Sequence, residues 1–220
     1  MAALALNYGS QTGFDFPASL TEKYRPKTIE EFVGLDKPKQ IARKLAANPF
    51  PSAWMFIGPS GTGKTSLALA IAAAIPAELH HIPSQECNLD NIERVRRTCQ
   101  YVPIAGCKFH LVLIDEADQM SSAAQVSLLS KLDATNFPPN TIFIFTCNSN
   151  ERLEPRFLSR LHVIEFSSYG ISSQVASLLQ AIWQKEAGNS EPPNFARIVK
   201  DSANNVRESL MKLETELMMV

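Results

Sequence analysis

A continuous apolar run occupies residues 53–57, largely apolar ones occupy 109–114 (broken by His110) and 141–146 (flanked by threonines), and shorter, less pure ones occupy 79–82 and 163–166. A continuous apolar run of this length predicts a strand covered on both faces, as in a parallel sheet. Helical spacing fills the gaps: residues 38–47, with Ile41 and Leu45 one turn apart, 66–74, which stops before Pro76, 88–101, 123–132 and a short turn at 155–158. Val126, Leu129 and Leu132 are expected to pack in the core. Strands alternating with helices predict a parallel three-layer α/β sheet, with ligands at the carboxyl ends of its strands. From Ile171 onward the pattern holds helices only, 172–186, 194–201 and 206–219, so a small all-α domain follows the sheet. Three parts result: an arm at 1–19 with Gly9, Ser10, Gly13, Pro17 and no sustained periodicity, a sheet domain at 20–168 and a helical domain at 169–220. Residues 20–34 are expected to be extended before Pro26, because proline disfavours helix in the preceding residue, with one short helical turn after it.

At 220 residues, 45% hydrophobic and 20% charged, the chain can bury one full core and a small second one. No apolar run approaches the roughly 20 residues of a membrane helix, so no membrane partner is expected. The opening Met1 to Leu6 lacks a basic segment and a long apolar core. The expectation is an intracellular protein, cytoplasmic or nuclear. Cys87, Cys99, Cys107 and Cys147 show no C-x-x-C spacing, which argues against a zinc site or a disulfide framework. His80 and His81 are neighbours on an expected strand and point to opposite faces, so they cannot easily chelate one ion together. A net charge of −1 neither supports nor excludes a nucleic-acid partner. Lys37, Lys39, Arg43 and Lys44, and separately Arg94, Arg96 and Arg97, read equally as DNA-tracking charges or as solvated helix faces.

The chemistry concentrates at Gly58-Pro59-Ser60-Gly61-Thr62-Gly63-Lys64-Thr65, which satisfies G-x-x-x-x-G-K-[ST] between an expected strand and a helix opening at Ser66. Its glycines let successive N–H groups face inward to cradle phosphates. Lys64 would reach the terminal phosphates of a nucleotide, and the Thr65 hydroxyl would hold magnesium. A glycine-rich turn before a helix need bind nothing, but both flanks here have the required character. Asp115 ends the strand at 109–114, where a magnesium-holding carboxylate is needed, and Glu116 beside it is placed to polarise a water.

Asp115-Glu116-Ala117-Asp118, with Glu22-Lys23-Tyr24-Arg25-Pro26-Lys27-Thr28 and Val33-Gly34, resembles the AAA+ ATPases of sliding-clamp loaders, most of all the replication factor C small subunits and their phage counterparts. The likeness runs over about residues 20 to 215. It implies a P-loop NTPase αβα sheet followed by a helical lid, with ATP and Mg2+ as cofactors. It also implies other AAA+ subunits, a sliding clamp and primer-template DNA as partners. Thr146-Cys147-Asn148 is similar to the sensor-1 stretch, which implies that Asn148 contacts the γ-phosphate or the attacking water. Glu154-Pro155 with Ser159-Arg160-Leu161 resembles the box whose arginine reaches into the neighbouring subunit's site. That role falls to Arg160, or to Arg156 one helical turn away. Asn205-Val206-Arg207 resembles sensor 2, implying a phosphate contact from Arg207 in the same chain. Thr21 and Val33 would flank the adenine. The pattern departs from the family at Thr21, Leu35, Leu161 and Asn204-Asn205, none of which removes a group that hydrolysis needs. The family continues into a helical collar beyond the position of Val220, so this sequence reads either as a fragment or as a protein assembling through its ATPase faces alone. Two other functions fit the same motifs: a related AAA+ DNA motor or helicase loader, and a non-hydrolysing subunit that binds ATP and lends its arginine to a partner.

Overall fold

The computed structural model describes residues 18–104, 106–133 and 135–220; the expected arm at 1–19 lies almost wholly outside them. The described chain runs α1 (Leu20–Lys23), α2 (Asp36–Ala47), β1 (Ser52–Ile57), α3 (Lys64–Ala74), β2 (Ala77–Ile82), α4 (Leu89–Thr98), β3 (Phe109–Ile114), α5 (Ser122–Lys131), β4 (Thr141–Cys147), α6 (Pro155–Leu158), β5 (His162–Glu165), α7 (Ser172–Glu186), α8 (Phe195–Asp201) and α9 (Val206–Leu217). The strands form one parallel sheet in the order β2-β3-β4-β1-β5.

Unbroken apolar strands are explained by cover on both faces. Trp54 and Phe56 of β1 join Leu111, Leu113, Ile142 and Ile144 against α2 and α3. Their neighbours Ala53 and Met55 join Val112, Ile114, Phe143 and Phe145 on the opposite face, under α4 to α6. Each of these large side chains contributes about 1.5–3 kcal/mol by burial. A third cluster, built from Val175, Leu179, Trp183, Val199 and Leu213, lies within α7 to α9 and takes in Leu20.

Ile57 is level with Cys147 across β1 and β4, and Ile114 is level with Phe145 across β3 and β4. The residues that follow, Gly58, Asp115 and Asn148, therefore emerge from three adjacent central strands at one end of the sheet. That register, rather than any local sequence feature, positions the site.

The structure corrects several expectations. The segment before Pro26 is not extended throughout: Leu20–Lys23 is a helical turn, with Pro26 two residues past its cap at Tyr24. Tertiary contacts override the local preference, since Leu20 is buried, its N–H donates to Glu214 Oε1 at 2.8 Å, and Lys23 pairs with Glu186 at 2.7 Å. The short turn expected afterwards is present at Ile29–Glu31. Helix α4 stops at Thr98, short of Tyr101, which is exposed. Of the expected stripe on α5, Leu132 at the helix cap is buried and Leu129 packs against the core, but Val126 faces solvent; Ala124 and Leu128 complete the inner face.

Gln125, also in α5, is buried and fully bonded: Nε2 donates to the carbonyls of Met120 and Arg152, and Oε1 accepts from Glu154 N–H. It ties the chain before Pro155 to the helix. Gln125→Leu strands these groups without partners, so chemical denaturation is expected to show a loss of about 1–3 kcal/mol. An unchanged midpoint would mean the loop is held elsewhere.

Candidate functional site

Because α3 begins at Lys64 and no side chain caps it, its first-turn N–H groups have no intrahelical partner and stand available at the loop's end. Gly61 has φ +75, and a Cβ there would lie 2.2 Å from Asn205 Oδ1. Only glycine permits this turn and this closeness. Asn205 comes from the helical part: it caps α9, accepting from Glu208 N–H, and its Nδ2 donates to Ser60 O at 2.9 Å. The phosphate loop and the start of α9 are thus directly joined, with Arg207 on the first turn of that helix.

Lys64 is buried, and its Nζ donates to Gly58 O at 2.6 Å, Pro59 O at 2.9 Å and Asn148 Oδ1 at 3.1 Å. Desolvation is the main reason its pKa lies below the usual lysine value. Asp115 Oδ1 accepts from Thr65 Oγ1 at 2.8 Å and Thr146 Oγ1 at 2.9 Å, and Oδ2 meets His81 Nε2 at 2.7 Å. Burial alone would raise the Asp115 pKa, but hydrogen bonds from His81, Thr65 and Thr146 outweigh it and hold the carboxyl below its ordinary value. Glu116 follows in a left-handed conformation, φ 51, with its N–H donating to Thr146 Oγ1 at 3.1 Å. A single hydroxyl therefore bonds both members of the acidic pair.

Lys64, Thr65, Glu116, Asn148 and Arg207 line one cavity of about 90 Å³. A larger one of about 260 Å³ adjoins it through Gly61, Gly63, Ser66 and Arg207, and holds Thr21, Tyr24, Val33, Leu35, Leu178 and Leu210. Thr62 is turned back on the loop, its hydroxyl donating to Pro59 O. Arg160 lines neither cavity. Its Nε donates to Asp133 Oδ1 at 2.8 Å and its NH1 to Arg156 O at 2.8 Å, on the surface. The arrangement offers inward amides and two cations for phosphates, a hydroxyl and a carboxylate for a hard cation, and a carboxylate across the cavity from Asn148.

Sequence reasoning passed over Thr146, His81 and Asn205 as individual contributors. For Thr146 the available signal was a hydroxyl near the end of an otherwise apolar strand. Thr146→Val keeps the shape and removes both bonds. Turnover of the nucleotide is expected to fall about tenfold, the value of one to two net hydrogen bonds, with little change in melting temperature. An unchanged rate would mean the acidic pair is placed without it.

The sequence profile of the ATPase family associated with various cellular activities (AAA) matches residues 54–169. The chain is 34% identical over 153 residues to replication factor C small subunit 1 of Pyrobaculum islandicum, covering 66% of this chain and 46% of that protein. It is 30% identical over 200 residues to replication factor C small subunit 1 of Pyrobaculum arsenaticum, covering 88% of this chain and 60% of the relative. The chain thus spans about half to three-fifths of the length of these curated relatives. Among solved structures, the Thermotoga maritima RuvB Holliday junction branch migration motor aligns with TM-score 0.70 at 18% identity, over 87% of this chain and 64% of that one. Such identity speaks for the fold: a P-loop αβα sheet with helices following.

Proposed function

This chain belongs to the ATPase family associated with various cellular activities, and from that premise we propose that it is an ATP-hydrolysing subunit of the clamp-loader type, acting with a sliding clamp on primer-template DNA. The observation that carries this reading is the meeting of Lys64, Thr65, Glu116, Asn148 and Arg207 around one cavity, in a chain similar to replication factor C small subunits over 88% of its length.

The donor set fits magnesium: the Thr65 hydroxyl and Asp115 Oδ1, both hard oxygens, meet at 2.8 Å, while His81 Nε2 is held by the other carboxylate oxygen. Thr65 and Asp115 would hold the ion, which when bound neutralises phosphate charge. The loop amides and the start of α3 receive the phosphates, and Lys64 exchanges its bonds to Gly58 and Pro59 carbonyls for phosphate oxygens. Glu116 takes the proton of the attacking water, and Asn148 orients that water. Thr21 and Val33 flank the base in the larger cavity. Arg207 reaches the phosphates from α9, and Arg160 serves the next subunit's site. Because ATP would touch both the loop and α9, which Asn205 already joins, loss of its terminal phosphate changes how the helical part is held.

Lys64→Met is expected to weaken ATP binding about 10- to 100-fold, the loss of one charge-assisted hydrogen bond of about 1.5–3 kcal/mol. Calorimetric titration checks this, and an unchanged affinity would remove Lys64 from the phosphate site. The function itself is tested by ATP turnover with clamp and primed DNA present. The expected result is stimulation by both together; turnover indifferent to the clamp but driven by branched or single-stranded DNA would contradict clamp loading.

A further inference from the structure

Away from the phosphate loop, the register of β2 and β3 places Glu78 directly beside His110, with His80 two residues further along β2. Residues two apart on a strand share a face, so Glu78, His80 and His110 all point toward α4. Cys99 caps that helix above them. The donor atoms of His80, Cys99 and His110 lie within 4.8 Å of one another. We propose that His80, Cys99 and His110, with Glu78 as fourth ligand, form a binding site for one zinc-type divalent cation.

Four observations support it. His80 Nε2 and His110 Nδ1 are 3.0 Å apart, and Glu78 carboxylate oxygens stand 3.4 Å from His110 Nδ1 and 3.9 Å from His80 Nε2. Two donors on a tetrahedral zinc, at bond lengths of about 2.0–2.3 Å, lie about 3.3–3.6 Å apart; the histidines and Glu78 stand close to that spacing, and Cys99 Sγ lies within 4.8 Å of both histidine donors. His110 Nε2–H donates to Tyr101 O at 2.9 Å, which leaves Nδ1 with its lone pair facing the cluster; a carbonyl held by the far nitrogen is the usual support of a metal-bound histidine. Two nitrogens, one sulfur and a carboxylate suit zinc or cobalt rather than magnesium or calcium. Finally, Glu78 and His110 line a cleft of about 610 Å³, which gives an ion a way in. Its rim carries Asp90 and Glu93 as well as Arg94 and Arg97.

Binding moves the His80 proton to Nδ1, freeing Nε2, and releases one proton from the Cys99 thiol to solvent for each ion taken up. The ion then joins β2, β3 and the end of α4. A second histidine pairing separates this site from the nucleotide: His81 points to the other face and meets Asp115.

The test is titration of the chelator-stripped full chain with Co2+, followed by displacement with Zn2+. One equivalent with sulfur-to-cobalt charge-transfer absorption is expected, lost in Cys99→Ser, and with affinity at least about tenfold weaker in His80→Gln. Zn2+ should raise the melting temperature of the wild type and not that of Cys99→Ser. Cobalt binding without thiolate absorption, or absorption that survives Cys99→Ser and so comes from another cysteine, overturns the proposal. Should Cys99→Ser fail to fold, the wild-type spectrum and His80→Gln, at the more accessible ligand, still decide: an undiminished affinity in His80→Gln means the histidines are only hydrogen-bonded to each other.

Discussion

Arg160→Ala is expected to lower ATP turnover by about 10³- to 10⁵-fold while leaving ATP binding as in the wild type, the effect of removing an arginine finger. Arg160 lies outside both cavities of its own chain, and it is braced rather than free, by Asp133 and the Arg156 carbonyl. A planar cation that never loses its charge, held on the surface, suits the transition-state charge of a neighbouring site. Arg156 makes no ion pair among the described residues, and Arg156→Ala should leave the rate within a few-fold. A mixture of Arg160→Ala and Glu116→Gln chains, each inactive alone, should recover turnover, because the Glu116→Gln chain still lends its Arg160 to a site that retains Glu116. Equal loss in Arg156→Ala would transfer the role to that residue. Weakened ATP binding in Arg160→Ala would show that it serves its own chain.

Glu116→Gln is expected to keep ATP bound and to cut turnover by about 10²- to 10⁴-fold, the share of a positioned general base. The backbone at Glu116 is held in a left-handed turn by the Thr146 hydroxyl, so the amide side chain occupies the same place without accepting a proton. Because Asp115 and Lys64 are untouched, the variant should show the same nucleotide-induced rise in melting temperature as the wild type. Single-turnover kinetics with ATP separate the two effects. A residual rate near that of the wild type would require another group to activate the water.

Much of this site was legible because its pieces are local. The phosphate loop lies between an apolar strand and a helix in eight consecutive residues, and Asp115 follows an apolar run that has to be a buried strand. Strand order was not legible: that Gly58, Asp115 and Asn148 stand side by side depends on β4 lying between β3 and β1, a long-range pairing. Helix α1 was hidden for the same reason, since Leu20 is helical through its contact with residues almost the whole chain away. Val126 lies on the solvent side of α5 although Leu129 and Leu132, expected beside it, do reach the core, because which arc of a short helix faces inward is set by its tertiary neighbours and not by its own spacing. The His80, Cys99 and His110 cluster had no spacing signal, its members coming from three separate elements.

The most direct test of an active site completed between copies is the ATPase rate per chain across a protein-concentration series, with and without primed DNA, alongside the mass of the assembly. A rate per chain that climbs with concentration, in step with the mass and further with DNA, is the predicted result. A rate per chain that is substantial and constant down to concentrations where the protein is a monomer would contradict it, since one chain would then supply every catalytic group.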